Sequence, residues 1–125
     1  MTLAYWCVLA AALAPYLMIW PAKVRPDFDN RSPRAWEARL EGWRARLHAA
    51  HLNAFEAFPP FAAGVIIAHL ARVPQTRIDA LAVAFVAARF AYPWLYYADR
   101  ASLRSIVWGV GFLCVIGLFV AAALA

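Results

Sequence analysis

Cysteine is almost missing from this chain. Only Cys7 and Cys114 occur, far apart and each inside an apolar run. There is no CxxC pair and no metal-ligand spacing, which excludes a zinc ribbon or a redox pair. The two thiols read as small apolar side chains packed in helices, with neither a disulfide nor a catalytic cysteine expected. His48 and His51 miss the i, i+4 spacing of the zinc helix motif, so no metal is expected. The first apolar run has no basic residues ahead of it. That argues against a cleaved secretory leader, even though Ala10, Ala12 and Ala14 imitate a cleavage site, because Pro15, Tyr16 and Trp20 continue the segment. Repeats and low-complexity tracts are absent.

Charge is scarce too, at 15% of the 125 residues, while 66% are hydrophobic. Soluble domains run nearer half apolar. A soluble fold of this length has one modest core and nowhere to hide so much apolar surface. A membrane supplies that place, since a helix of about 20 mostly apolar residues crosses the hydrocarbon. Four such stretches and their connections use the whole chain. The expected fold is therefore an all-α membrane protein, a single four-helix transmembrane bundle over residues 1–125. The spans fall at about 3–20, 47–71, 78–97 and 103–125. The net charge is +5. The basic residues cluster beside apolar spans, so membrane lipids with anionic headgroups are the expected partners, and nucleic acid is not.

Residues 22–46 break the apolar pattern. Their first half reads as a loop. Ser32 is placed to cap a helix that begins at Pro33. Trp36, Leu40, Trp43 and Leu47 then make one apolar stripe on a charged helix that runs into the second span. Pro59 and Pro60 should kink that span. Lys and Arg are concentrated in the 1–2 connection, at Lys23, Arg25, Arg31, Arg34, Arg39, Arg44 and Arg46, and Arg100 and Arg104 add to the 3–4 turn. The opposite side has only Arg72 and Arg77. The 1–2 and 3–4 connections are therefore expected to be cytoplasmic, with both termini outside.

A charge at membrane depth is costly and marks function. Glu56 and Arg89 are the clearest cases. Asn53 and Glu56 share a helical face, which Arg46 and Ala49 extend toward the cytoplasmic end. Arg89, Tyr92 and Tyr96 form a polar stripe on the third span. Spans two and three run antiparallel, so the two stripes meet at one depth. Arg offers a planar fork for a carboxylate, Glu56 accepts from an ammonium, and Asn53 both donates and accepts. This set suits a small zwitterion with carboxylates, such as an amino acid or short peptide. The residues alone also allow Glu56 and Arg89 simply to pair with each other. His48 and His51 read as interfacial or satisfied histidines, and His69 as structural. A small transporter finds little support, because no repeat or pair of broken helices is present.

The run Ala50-His51-Leu52-Asn53-Ala54-Phe55-Glu56-Ala57-Phe58-Pro59-Pro60-Phe61 resembles the signature of the MAPEG family, the membrane-associated proteins in eicosanoid and glutathione metabolism. Ala88-Arg89-Phe90-Ala91-Tyr92, with Tyr96 a turn later, resembles the family's motif on its third helix. The resemblance covers essentially the whole chain and is closest to bacterial members of unassigned activity. It implies a homotrimer with glutathione held between subunits as co-substrate. It also implies a glutathione transferase or peroxidase acting on a lipophilic small molecule, an electrophile or a lipid hydroperoxide. Carried over by position, Arg46, Asn53, Glu56, Arg89 and Tyr92 would bind glutathione. Arg104 and Tyr96 would be catalytic and stabilise its thiolate. The family pattern has an Arg four residues before the Asn, where this chain has Ala49. Arg46, a turn earlier, is the nearest replacement. The alternative reading is a non-catalytic lipid-binding or structural membrane protein with a degenerate glutathione site.

Overall fold

The computed structural model describes residues 1–125 and contains only helices. These are α1 (Leu3–Lys23), α2 (Pro33–Glu37), α3 (Gly42–Leu70), α4 (Gln75–Tyr97) and α5 (Ala101–Ala123). The four long helices alternate in direction; residues 24–41, which include α2, join α1 to α3, and short turns join α3 to α4 and α4 to α5. α1, α4 and α5 are each long and apolar enough to cross a membrane. α3 has the length, with 29 residues. It also carries Arg44, Arg46, His48, His51, Asn53 and Glu56, which dilute its hydropathy.

Local chemistry places the helix ends. Thr2 caps α1, its side-chain oxygen accepting from the Tyr5 backbone N–H at 3.3 Å. α1 runs on through Pro21 to Lys23, past the end expected at about residue 20. Proline there lacks only one N–H in the last turn, which does not end the helix. α3 and α4 close with matching caps. Val73 N–H donates to Ala68 O and Arg72 N–H to His69 O, each at 3.0 Å. Arg100 N–H likewise donates to Leu95 O at 2.9 Å, and Asp99 N–H to Tyr96 O at 3.1 Å. Both are Schellman closures, with Arg72 at φ 60 and Asp99 at φ 55 in the left-handed position.

The amphipathic stretch departs from its expected course. No continuous helix joins Pro33 to the second span. α2 stops at Glu37, and α3 starts at Gly42, whose φ of +60 turns the chain. Ser32 makes no side-chain cap bond. The apolar stripe still packs inward, because Leu40 and Trp43 cover a cluster of Ile19, Ala22 and Leu47. Arg44 and Arg46 consequently belong to α3 rather than to the connection. α3 also continues through Pro59 and Pro60 without interruption. The two missing N–H groups leave the carbonyls of Phe55 and Glu56 without their usual donors.

The same connection, rich in charge, also contains a buried carboxylate. Glu37 is 1% exposed. Lys23 Nζ lies 2.7 Å from its Oε1 and Arg34 Nη1 lies 2.9 Å from its Oε2. Arg34 Nη1 also donates to His51 Nε2 at 3.0 Å, and His51 Nδ1–H donates to the Pro15 carbonyl at 2.7 Å. Arginine has no acceptor, so His51 is the Nδ1–H tautomer and is fully satisfied. These bonds dock α2 onto α1 and α3. Burial pushes the Glu37 carboxyl up, but hydrogen bonds and charge from Lys23 and Arg34 outweigh it and hold its pKa below the ordinary value. A lowered folded pKa contributes stability above the ordinary carboxylate range, lost as pH falls through the folded value. Solvent reaches Lys23 and Arg34, which limits the gain. Glu37→Gln is expected to cost about 1–2 kcal/mol at neutral pH. Thermal unfolding from about pH 7 down to about pH 3 should show wild type and variant converging at the acid end.

The core lies between the long helices and is built from small and aromatic residues. Phe61 and Phe85 stack with centroids 3.8 Å apart. Ala4, Ala11, Ala68 and Ala82 let the backbones around them approach closely. Gly64 abuts Leu118, and Gly117 abuts Leu81. Outward faces are apolar: Leu9, Leu13 and Leu17 line one side of α1, and Ile106, Leu113 and Val120 point out from α5. Such a surface calls for lipid rather than water. At one end, His69 stacks on Tyr5 at 4.3 Å and bonds Thr2, while Asp79 accepts from Ala4 N–H at 2.9 Å. These contacts tie α1 to the α3–α4 turn, the structural role expected for His69.

Candidate functional site

Arg89 organises the polar interior. It sits on the inward face of α4, 4% exposed, with Phe85 and Tyr92 on either side. Its guanidinium carbon lies 5.5 Å from the Phe85 ring centroid and 5.2 Å from that of Tyr92. Nη1 donates to Asn53 Oδ1 at 2.8 Å, and Nη2 reaches the Trp108 carbonyl at 3.5 Å. Nε is buried and has no partner. The guanidinium lies against α5 only because residue 111 is glycine. A Cβ there would fall 2.7 Å from Nη2.

The direct Glu56–Arg89 pair that the residues allowed does not form. The ion pairs in the chain involve Glu37 and Asp27, not Glu56. Arg89 turns instead to the neutral Asn53. Glu56 is exposed on the same face of α3. Asn53, Glu56, Arg89, Trp108, Gly111 and Phe112 line one open cleft of about 200 Å³ between α3, α4 and α5. Its deeper wall is apolar, with Phe85 and Val115. The cleft therefore presents a free carboxylate, an amide and an arginine whose charge no carboxylate of the chain neutralises. It can hold a molecule bearing both a carboxylate and an ammonium, with its apolar part directed inward.

The aromatic strip continues toward the α4 C-terminus. Tyr92 and Tyr96 pack edge to face at 5.2 Å, and the Arg104 guanidinium covers the Tyr96 ring at 4.2 Å. Tyr92 is buried against Ala14, Met18, Ala50 and Ala54, so it backs the site rather than lining the cleft. Arg104, Trp108 and Gly111 recur at i, i+4 and i+7 on α5. Arg104 thus stands one turn from the cleft lining. The structure brings Asn53, Glu56 and Arg89 together in the cleft, with Tyr92, Tyr96 and Arg104 as one adjoining strip. Arg46 is employed elsewhere. Its Nε donates to Tyr96 O at 2.9 Å and its Nη2 to Tyr97 O at 3.2 Å, closing the end of α4. Ala49, at the position of the family's arginine, contributes no polar group.

Sequence reasoning missed Trp108 and Phe112 as cleft walls and Gly111 as the seat of Arg89. Gly109, Gly111 and Gly117 in α5 signal close helix approach, but not which side chain approaches. No cluster of His, Cys, Asp or Glu could hold a metal ion.

The MAPEG family profile matches residues 3–124 of the chain. Neither the curated proteins nor the solved structures gave a match. The match runs through the Asn53–Glu56 and Arg89–Tyr92 motifs and all the long helices. The chain is an integral membrane protein of the MAPEG family, the membrane-associated proteins of eicosanoid and glutathione metabolism.

Proposed function

We propose that this protein binds glutathione in the Asn53–Glu56–Arg89 cleft and directs its thiol at a lipophilic electrophile or lipid hydroperoxide. One observation carries the reading: a buried guanidinium with no carboxylate partner faces, across one cleft, a carboxylate with no cation. Glutathione supplies both missing charges. Arg89 takes a glutathione carboxylate, Glu56 takes its ammonium, and Asn53 bonds the peptide. Arg104, held on Tyr96, favours the thiolate. In conjugation the thiolate sulfur forms a bond to carbon as the leaving group departs with its electron pair. In peroxidation the thiolate attacks the terminal peroxide oxygen, the O–O bond breaks, the sulfur keeps the hydroxyl as a sulfenic acid, and the alkoxide leaves as the alcohol with the proton given up by the thiol. A second glutathione then yields the disulfide and water. The apolar substrate enters from the bilayer.

In this reading α3 crosses the membrane as the fourth span, its polar face turned away from lipid, in a homotrimer whose subunit contacts enclose the cleft. The charge bias of the connections supports cytoplasmic 1–2 and 3–4 sides with both termini outside, and the resemblance to bacterial members supports a bacterial cytoplasmic membrane. A second reading, a lipid-binding or structural protein with a degenerate site, draws on Ala49 and on Arg46 being tied to α4.

Calorimetric titration of glutathione into the detergent-purified protein separates the two readings. Saturable binding in wild type, lost in Glu56→Gln, is the expected result. Absence of binding at millimolar glutathione would hand the lead to the second reading.

A further inference from the structure

A second concavity lies away from the cleft, at the end where α1 and α4 finish and α3 begins. Its walls are Leu17 and Pro21 of α1, Trp43 and Leu47 of α3, and Phe90 and Trp94 of α4, with Tyr97 at its end. It holds about 450 Å³, the scale of a single-ligand site. Leu17 is 61% and Trp94 74% exposed, so the groove opens on the outer face of the bundle. No residue of the Arg89 cleft contributes to it.

The groove changes character along its length. The Leu17, Leu47 and Phe90 side is wholly apolar. At the other side the Trp43 ring packs edge to face on Tyr97 at 5.6 Å. The Arg44 guanidinium lies over that Trp43 ring at 4.3 Å, with its Nε buried and unpartnered. Arg46 is anchored beside it on the Tyr97 carbonyl. Arg39 is exposed on the approach to α3, and Arg100 follows α4. Against these cations stand the exposed Glu41 and Asp99. Positive charge is in excess, and tryptophan and tyrosine mark the level of lipid headgroups. An apolar slot leading to a cationic, aromatic mouth is complementary to one amphiphile in particular.

We infer that this groove seats one anionic phospholipid of the surrounding leaflet. An acyl chain lies between Leu17, Leu47 and Phe90, and the phosphate rests on Arg44 with Arg46 beside it. Arg44 is held over the Trp43 ring, so the phosphate meets a positioned positive charge. This site is independent of the glutathione reading, since neither shares residues with the other.

Native mass spectrometry tests it. The protein is purified in mild detergent, stripped of lipid, and offered an equal mixture of phosphatidylglycerol and phosphatidylcholine with matched chains. One phosphatidylglycerol per chain should be retained in preference to phosphatidylcholine. Arg44→Gln should lower that preference about fivefold. Leu17→Trp, at an exposed position that tolerates bulk, should fill the slot and abolish retention of both lipids. Equal retention of the two lipids, or phosphatidylglycerol binding unchanged in both variants, would overturn the proposal. So would stoichiometric disulfide cross-linking of Trp94→Cys between chains, which would show that a second copy covers the groove. The Arg44→Gln comparison stands by itself should Leu17→Trp fail to fold.

Discussion

Gly111→Ala is expected to drive the Arg89 guanidinium off its seat and to lower stability by about 0.5–2 kcal/mol, the roughly 1.5–3 kcal/mol of a hydrogen bond made by a charged group less about 1 kcal/mol regained in helix propensity. The added methyl would lie 2.7 Å from Nη2 and 3.2 Å from Nε. Those atoms are the far end of a flexible side chain, so the helices need not separate and the side chain yields instead. Its yielding breaks the 2.8 Å bond from Nη1 to Asn53. Gly109 is the control, because a Cβ there meets nothing within 4 Å. Gly109→Ala should be neutral or stabilise by up to about 1 kcal/mol through helix propensity. The decisive measurement is thermal unfolding in detergent of Gly111→Ala with and without Arg89→Met. Methionine is slimmer and needs no partner, so the cost of the alanine should largely vanish, giving a coupling of about 1 kcal/mol. An equal cost in both backgrounds would mean that the glycine serves helix packing and not the arginine.

Arg89→Met alone should weaken glutathione binding on the order of 100-fold, since a charge-assisted pair with a carboxylate is worth about 1.5–3 kcal/mol. The fold should survive the change. A buried charge held only by a neutral amide and a carbonyl is a costly element, and replacing it by an apolar side chain of similar length is often neutral. Arg89→Lys keeps the charge but loses the planar fork, so its affinity should fall between the two. Calorimetry for binding and circular dichroism for helix content distinguish the outcomes. Loss of helix in Arg89→Met would make the arginine structural. A folded variant with unchanged affinity would remove it from the ligand site.

Much of this architecture was legible from residue order. Long apolar runs separated by Pro, Arg and Asp specify helices and turns, because an unsatisfied backbone in lipid is prohibitive. Helix α5, for example, was displaced from its expected bounds by only two residues at each end. The i, i+3 spacing put Asn53 and Glu56 on one face of their helix, and the stripe put Arg89, Tyr92 and Tyr96 on one face of theirs. Periodicity reports a face, however, and not a partner. Glu56 and Arg89 could equally pair or stay apart until the position of Asn53 and the gap at Gly111 were known. The connection failed for a related reason. A glutamate among arginines looks solvated in one dimension, yet Lys23, Arg34 and His51 converge around Glu37 from separate elements.

Composition and periodicity by themselves determined that the chain is helical and meant for lipid, and its motifs determined its family. Those properties depend on local backbone satisfaction and on which side chains repeat along a face. Tertiary structure alone decided which charges meet. It withdrew Arg46 to close α4, buried Glu37 under α2, and left the Arg89 guanidinium and the Glu56 carboxylate unpaired on one cleft. Charge pairing depends on distances of a few ångströms between helices, and those distances are set by side-chain packing across the bundle, which no single helix encodes.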